Sequence, residues 1–154
     1  MFESTLATTH DADLILKLYE LRTETTMRQA RSWVTGEFFP ETAAEVLGVL
    51  ASVGSQEFSW LRQVTSYWEM AAAFVLHGAL NAELFLDCNN EPFFLYAKFL
   101  PLLTEIRQKS PHFFAKVGQL VGQYAEAQAR VEQMTMVMPG HREAAKAARN
   151  RPHR

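Results

Sequence analysis

Four ionisable side chains fall within one apolar stretch: Glu69, His77, Glu83 and Asp87. A carboxylate and an imidazole held together away from water can serve as a general base or ligate a metal. Glu69 is adjacent to Trp68, and a carboxylate buried there must be paired or protonated. It therefore has two readings. As chemistry, Glu69 is a general base or, with His77, a metal ligand. As architecture, it is bound by Arg22, Arg62 or Arg107 and fixes helix register. The second is the expectation, because buried charges mostly serve pairing. The candidate buried polar network is thus Glu69, Arg107, Arg22, Arg62 and His77.

The other chemistry-bearing residues read more plainly. Glu83 and Asp87 stand four apart on one helix face, a spacing at which like charges repel and prefer solvent. His77 precedes Gly78 and suits the negative end of a helix. Cys88, the single cysteine, follows an aspartate, so an inert, partly buried thiol is expected. None of the five histidines has a glutamate three residues before it, and no HExxH, G-x-S-x-G, P-loop or G-x-G-x-x-G occurs. No catalytic residue, metal or cofactor is expected.

These side chains need elements to position them, and the composition favours helices. The 154 residues include 20 Ala and 17 Leu against 10 Val and 2 Ile, with Gly and Pro scarce. The pattern predicts an all-α, single-domain, elongated bundle of about five principal helices. The first starts after Asp11 or Thr9 and runs unbroken to about Gly36. The second covers about Glu41 to Ser52. Ser55 caps the third, Gln56 to about Gly78, which is apolar on two faces and so central, with a short continuation from Ala79 to Cys88. The fourth spans Glu91 to Lys109 with a kink near Ala97 to Pro101. The fifth opens at Ser110-Pro111 and reaches about Met134 on the stripe Phe113, Val117, Leu120, Tyr124, Ala127 and Val131.

The net charge of −2 hides an asymmetry. Residues 1–139 carry −6 and residues 140–154 carry +4. The expected division is a helical body, 1–139, and a basic tail, 140–154, with a short helix over Glu143 to Ala148 and a frayed end at 150–154. Such a tail is expected to be solvated, with at most weak nucleic-acid contact. The start lacks the basic-apolar pattern of a secretory signal, and the longest apolar run, Met70 to Leu76, is too short to cross a bilayer. No membrane partner and a cytoplasmic location of bacterial type are expected.

Opposite the large stripe of the fifth helix runs a seam of small residues: Ala115, Gly118, Gly122, Ala125 and Ala129. Interior helical glycines cost roughly 1–2 kcal/mol per pair relative to alanine, which close approach of another backbone can offset. That backbone belongs either to the same chain or to a second copy in a dimer.

The segments Tyr67-Trp68-Glu69, Leu76 to Leu84 and Leu102 to Arg107 resemble a bacterial family of small helical proteins classed as a domain of unknown function. Its marks are an aromatic-x-Glu, a Gly-hydrophobic-polar-polar-Glu-Leu step and a later Leu-x-x-x-Arg. The resemblance covers Leu14 to Lys109 and implies an all-α fold with no established activity. It singles out Glu69, Gly78, Glu83 and Arg107. Many members carry an N-terminal membrane helix, which this sequence lacks.

Two functional readings follow. The first is a non-catalytic interaction or regulatory module with a protein partner, homodimeric through the small-residue seam. The alternative is a small-molecule-binding or enzymatic bundle with an aromatic pocket around Glu69.

Overall fold

Threonine, serine and asparagine side chains cap the starts of three of the helices. In the computed structural model, which describes residues 6–152, the chain is all-α, with nine α-helices and one 3-10 turn among the described residues. They are α1 (Thr9–Thr23), α2 (Thr25–Gly36), α3 (Ala43–Ala51), α4 (Gln56–Leu76), α5 (Ala82–Cys88), α6 (Glu91–Phe99), the 3-10 turn (Leu100–Leu102), α7 (Leu103–Lys109), α8 (Ala115–Gln123) and α9 (Ala125–Arg149). Ser55 Oγ accepts the Phe58 N–H at the start of α4 and Asn81 Oδ1 accepts the Leu84 N–H at the start of α5. Thr42 and Glu45 bond each other's backbone N–H at α3. Each bond satisfies an amide that the first turn leaves unpaired.

More helices are present than the five expected, because three of the expected helices are broken. The first divides at Glu24, which is extended and accepts the Met27 N–H as the cap of α2. Thr23, Thr25 and Thr26 surround it, and threonine is a weak helix former. The fourth, expected only to kink near Ala97 to Pro101, divides where Pro101 denies the backbone a donor, giving the 3-10 turn between α6 and α7. The fifth is delayed by Phe114, whose φ of 52° is left-handed, and divides again at extended Tyr124. The single helix from Asp11 or Thr9 to Gly36 and the unbroken fifth helix are therefore corrected.

Gly78, with φ of 75°, closes the end of α4 as anticipated, and the N–H groups of Ala79 and Leu80 turn back to the Phe74 carbonyl. α4 is the central helix. It packs against α2, α3, α5 and α8, and Trp68 at its middle is fully buried. Phe85, Phe93, Phe99 and Phe114 surround the same core.

α9 does not stop at Pro139-Gly140, where the tail was expected to begin. An interior proline costs about 3 kcal/mol, yet the helix continues because its second half is held to the body. Met138 and Ala145 are buried, the His141 ring meets the Phe94 ring edge-on at 5.2 Å, and Lys146 pairs with Glu41 at 3.0 Å. Residues 143–148 are thus the last turns of α9 rather than a separate short helix. Of the end expected to fray, His153 and Arg154 lie outside the described residues.

Candidate functional site

Glu69 projects from α4 onto the first turn of α8. Its two carboxylate oxygens accept the N–H groups of Lys116 and Val117, both at 2.9 Å. The negative group sits where the α8 backbone presents unpaired donors and the positive end of its dipole. From the other side, Arg107 donates to the carbonyls of Phe113 and Phe114, both at 3.1 Å. Glu69 and Arg107 therefore grip one five-residue segment, 113–117, and neither binds the other. Phe114, in its left-handed conformation, lies within that segment.

The remaining members of the expected network lie elsewhere. The Arg22 guanidinium lies over the rings of Trp68 (5.2 Å) and Tyr19 (5.4 Å). Arg62 is exposed. His77 is exposed and ends α4 through its backbone, in the capping position expected. Glu83 and Asp87 are also exposed, and Cys88 is exposed rather than partly buried. No group of three or more His, Cys, Asp or Glu positioned to hold a metal occurs among the described residues.

Three charges that tie helices together, Lys98 alone of them fully buried, escaped the sequence reading. Glu91, in the first turn of α6, takes a two-pronged contact from Arg31 (3.0 Å and 2.9 Å) and the Trp68 indole N–H (2.8 Å). This ties α2, α4 and α6 together. Glu91→Gln removes the charge from a largely buried pair and is expected to cost roughly 2–4 kcal/mol. Urea unfolding measures it, and a cost under about 0.5 kcal/mol removes Glu91 from the framework. Arg130, on α9, donates to the carbonyls of Leu86 and Asn89, closing the end of α5, and pairs with Glu126.

Lys98 is the third. Its side chain is 1% exposed, and its ammonium donates to the Val34 carbonyl in the last turn of α2. The rings of Phe39, Phe99 and Phe94 lie 4.7, 5.4 and 5.9 Å from Nζ. Burial lowers the lysine to about 7, with the charge of Glu91 opposing that shift. The sequence did carry a sign of it: Lys98 is the one charge in the run Phe93 to Leu102.

One opening lies away from Glu69. A cleft of about 920 Å³ sits between the start of α1, the α4–α5 turn and the α8–α9 elbow. Val75, Leu80 and Leu86 supply apolar lining, and Asp11, Glu83 and Glu126 supply carboxylates. Asp11 accepts the N–H groups of Thr8 (2.7 Å) and Asn81 (2.8 Å), and these bonds hold it below the ordinary aspartate range. Glu126 is paired with Arg130, whereas Glu83 has no ion-pair or hydrogen-bond partner among the described residues.

The small-residue seam is divided by the Tyr124 break. Ala115, Gly118 and Gly122 belong to α8, and Ala125 and Ala129 to α9. Gly118 is packed within the chain: a Cβ there would meet Arg107 Nη2 at 3.1 Å and the Tyr96 ring at 3.4 Å. Gly122 has nothing within 4 Å of that position, and Ala125 and Ala129 are exposed.

Residues 7–124 match the profile of a domain of unknown function, DUF4760. The chain belongs to that family. The DUF4760 match begins just before α1 and ends at Tyr124, so it includes the Glu69–Arg107 grip, the Arg31–Glu91–Trp68 tie and Lys98, while α9 lies beyond it. No curated protein and no solved structure matches the chain. No helix among the described residues is long and apolar enough to cross a membrane.

Proposed function

We propose that this protein is a non-catalytic interaction module of the cytoplasm that takes a basic, amphipathic segment of a protein partner into the cleft at the α8–α9 elbow. The observation that carries this reading is the cleft's lining: carboxylates beside an apolar floor, with no lysine or arginine among the lining residues. A segment with alternating basic and apolar side chains complements both features. The charges bonded to backbone argue in the same direction. Glu69, Arg107, Lys98 and Arg130 all bind backbone groups, so they hold helices rather than face a substrate.

Self-association is the second reading, and Gly122 favours it. Its surroundings are open, so contacts within the chain give no reason for a glycine inside α8, and a closely approaching backbone of a second copy would.

One set of variants tests both. Calorimetric titration with a synthetic Leu/Lys amphipathic peptide is expected to show saturable, salt-sensitive binding that Glu83→Lys weakens about tenfold, with unfolding unchanged. Equal binding of a Leu/Glu peptide, or indifference to Glu83→Lys, overturns the cleft reading. Gly122→Trp, at a position where a Cβ has nothing within 4 Å, is expected to leave the monomer folded and to shift a concentration-dependent sizing profile to monomer. A wild-type profile that is monomeric at every concentration ends the self-association reading.

A further inference from the structure

A second opening, on the opposite partner of α4, has a different chemistry. It is a shallow pocket of about 360 Å³ between α2 and the start of α4, lined by Gln29, Ser32, Trp33, Glu37, Gln56 and Trp60. Helical spacing assembles it: Gln29 and Trp33 stand four apart on α2, Gln56 and Trp60 four apart on α4, and Glu37 ends α2. Trp33 stacks on Phe38 at 4.6 Å and 14°, and Trp60 leans on Trp33 at 5.9 Å and 40°. Trp33 is thereby fixed, while Trp60 has Trp33 as its one ring neighbour among the described residues.

The geometry points to a binding platform for a neutral saccharide. The apolar C–H face of a pyranose ring packs on an indole, and its hydroxyls need groups that donate and accept at short range. The rim supplies two carboxamides, a hydroxyl and a carboxylate, and none of the four makes a side-chain hydrogen bond within the described residues. Aromatic walls with a few convergent polar groups are the usual make-up of a small-ligand site, and the volume falls at its small end. A lining without lysine or arginine disfavours acidic or phosphorylated sugars. A quaternary ammonium would also rest against Trp and Glu37, but it offers nothing to Gln29, Ser32 or Gln56.

The test is a fluorescence and calorimetric titration of the full chain with cellohexaose, maltohexaose and chitohexaose, and with tetramethylammonium as the cation probe. The expected result is saturable binding of at least one hexaose in the millimolar range or tighter. Trp60→Ala should weaken that binding by a factor of about ten, and Gln56→Ala by several-fold. Thermal unfolding of both variants separates loss of binding from loss of fold, and Gln56, being exposed, keeps the test decisive if Trp60→Ala unfolds. No binding of any hexaose at ~10 mM, binding unaffected by both substitutions, or binding of tetramethylammonium alone overturns the proposal. Its outcome is independent of the elbow cleft, which shares no residue with this pocket.

Discussion

Lys98→Met is expected to make the protein more stable below pH 7 and slightly less stable above pH 10.5. The folded chain holds this lysine at about 7, against an ordinary value of 10.5. Between those values the unfolded chain binds one proton more than the folded chain. Stability therefore rises with pH across that window and levels off below about 7, where both states hold the proton. Lowering the lysine from 10.5 to about 7 corresponds to a change on the order of 5 kcal/mol across the window. Methionine fills much the same volume among Phe39, Phe94 and Phe99 without a charge to bury. It leaves the Val34 carbonyl without its donor, a loss of about 1 kcal/mol that persists at high pH. The two pH–stability curves should consequently cross. Urea unfolding of both proteins from pH 6 to 11 gives the difference, from which every other titrating group cancels to first order. Parallel curves would show that Lys98 keeps its proton in both states.

Removing the Glu69 carboxylate has the second large effect. Glu69→Ala strips two amides of the α8 first turn of their charged acceptor and is expected to cost about 2–3 kcal/mol. Glu69→Gln should cost less, because its one carbonyl oxygen can still serve a single amide. Hydrogen exchange gives the local reading: the Lys116 and Val117 amides should lose protection before the rest of α8. Arg107→Ala loosens the same segment from its carbonyl side. The double variant should therefore cost less than the sum of the single variants, since the first substitution already frees what the second one held. Strict additivity, or unchanged exchange at 116 and 117, would separate the two side chains and end the idea of a shared grip.

The elements that were legible in the sequence are those fixed by local chemistry. Ser55 caps α4, Gly78 ends it and Pro101 interrupts the helix around it, each through its own backbone or the next turn. The breaks at Glu24 and Tyr124 were hidden because apolar spacing continues across them. Leu14, Leu18, Leu21 and Thr25 keep a helical interval, as do Leu120, Tyr124 and Ala127, while the chain bends. Periodicity records which face is apolar, and it is silent on whether the axis is straight. Glu69 was expected to pair with an arginine, but its partners are backbone amides. Every residue except proline carries one, so no side-chain type in the sequence could mark them. Lys98 is the opposite case: its place in an aromatic run was visible, and what hid its role was the distance to Val34, 64 residues earlier.

Tyr124 is also where the family match stops and α9 starts. α9, about 37 Å long at 1.5 Å per residue, lies along α6, strapped at one end by Arg130 and at the other by Lys146. In thermodynamic terms it is a ligand joined to its receptor by a single-residue linker. Its docking is intramolecular, at an effective concentration of order millimolar or above, and so does not weaken on dilution. A free helix competing for the α6 face would have to exceed that concentration, which makes α9 a resident competitor at its own seat.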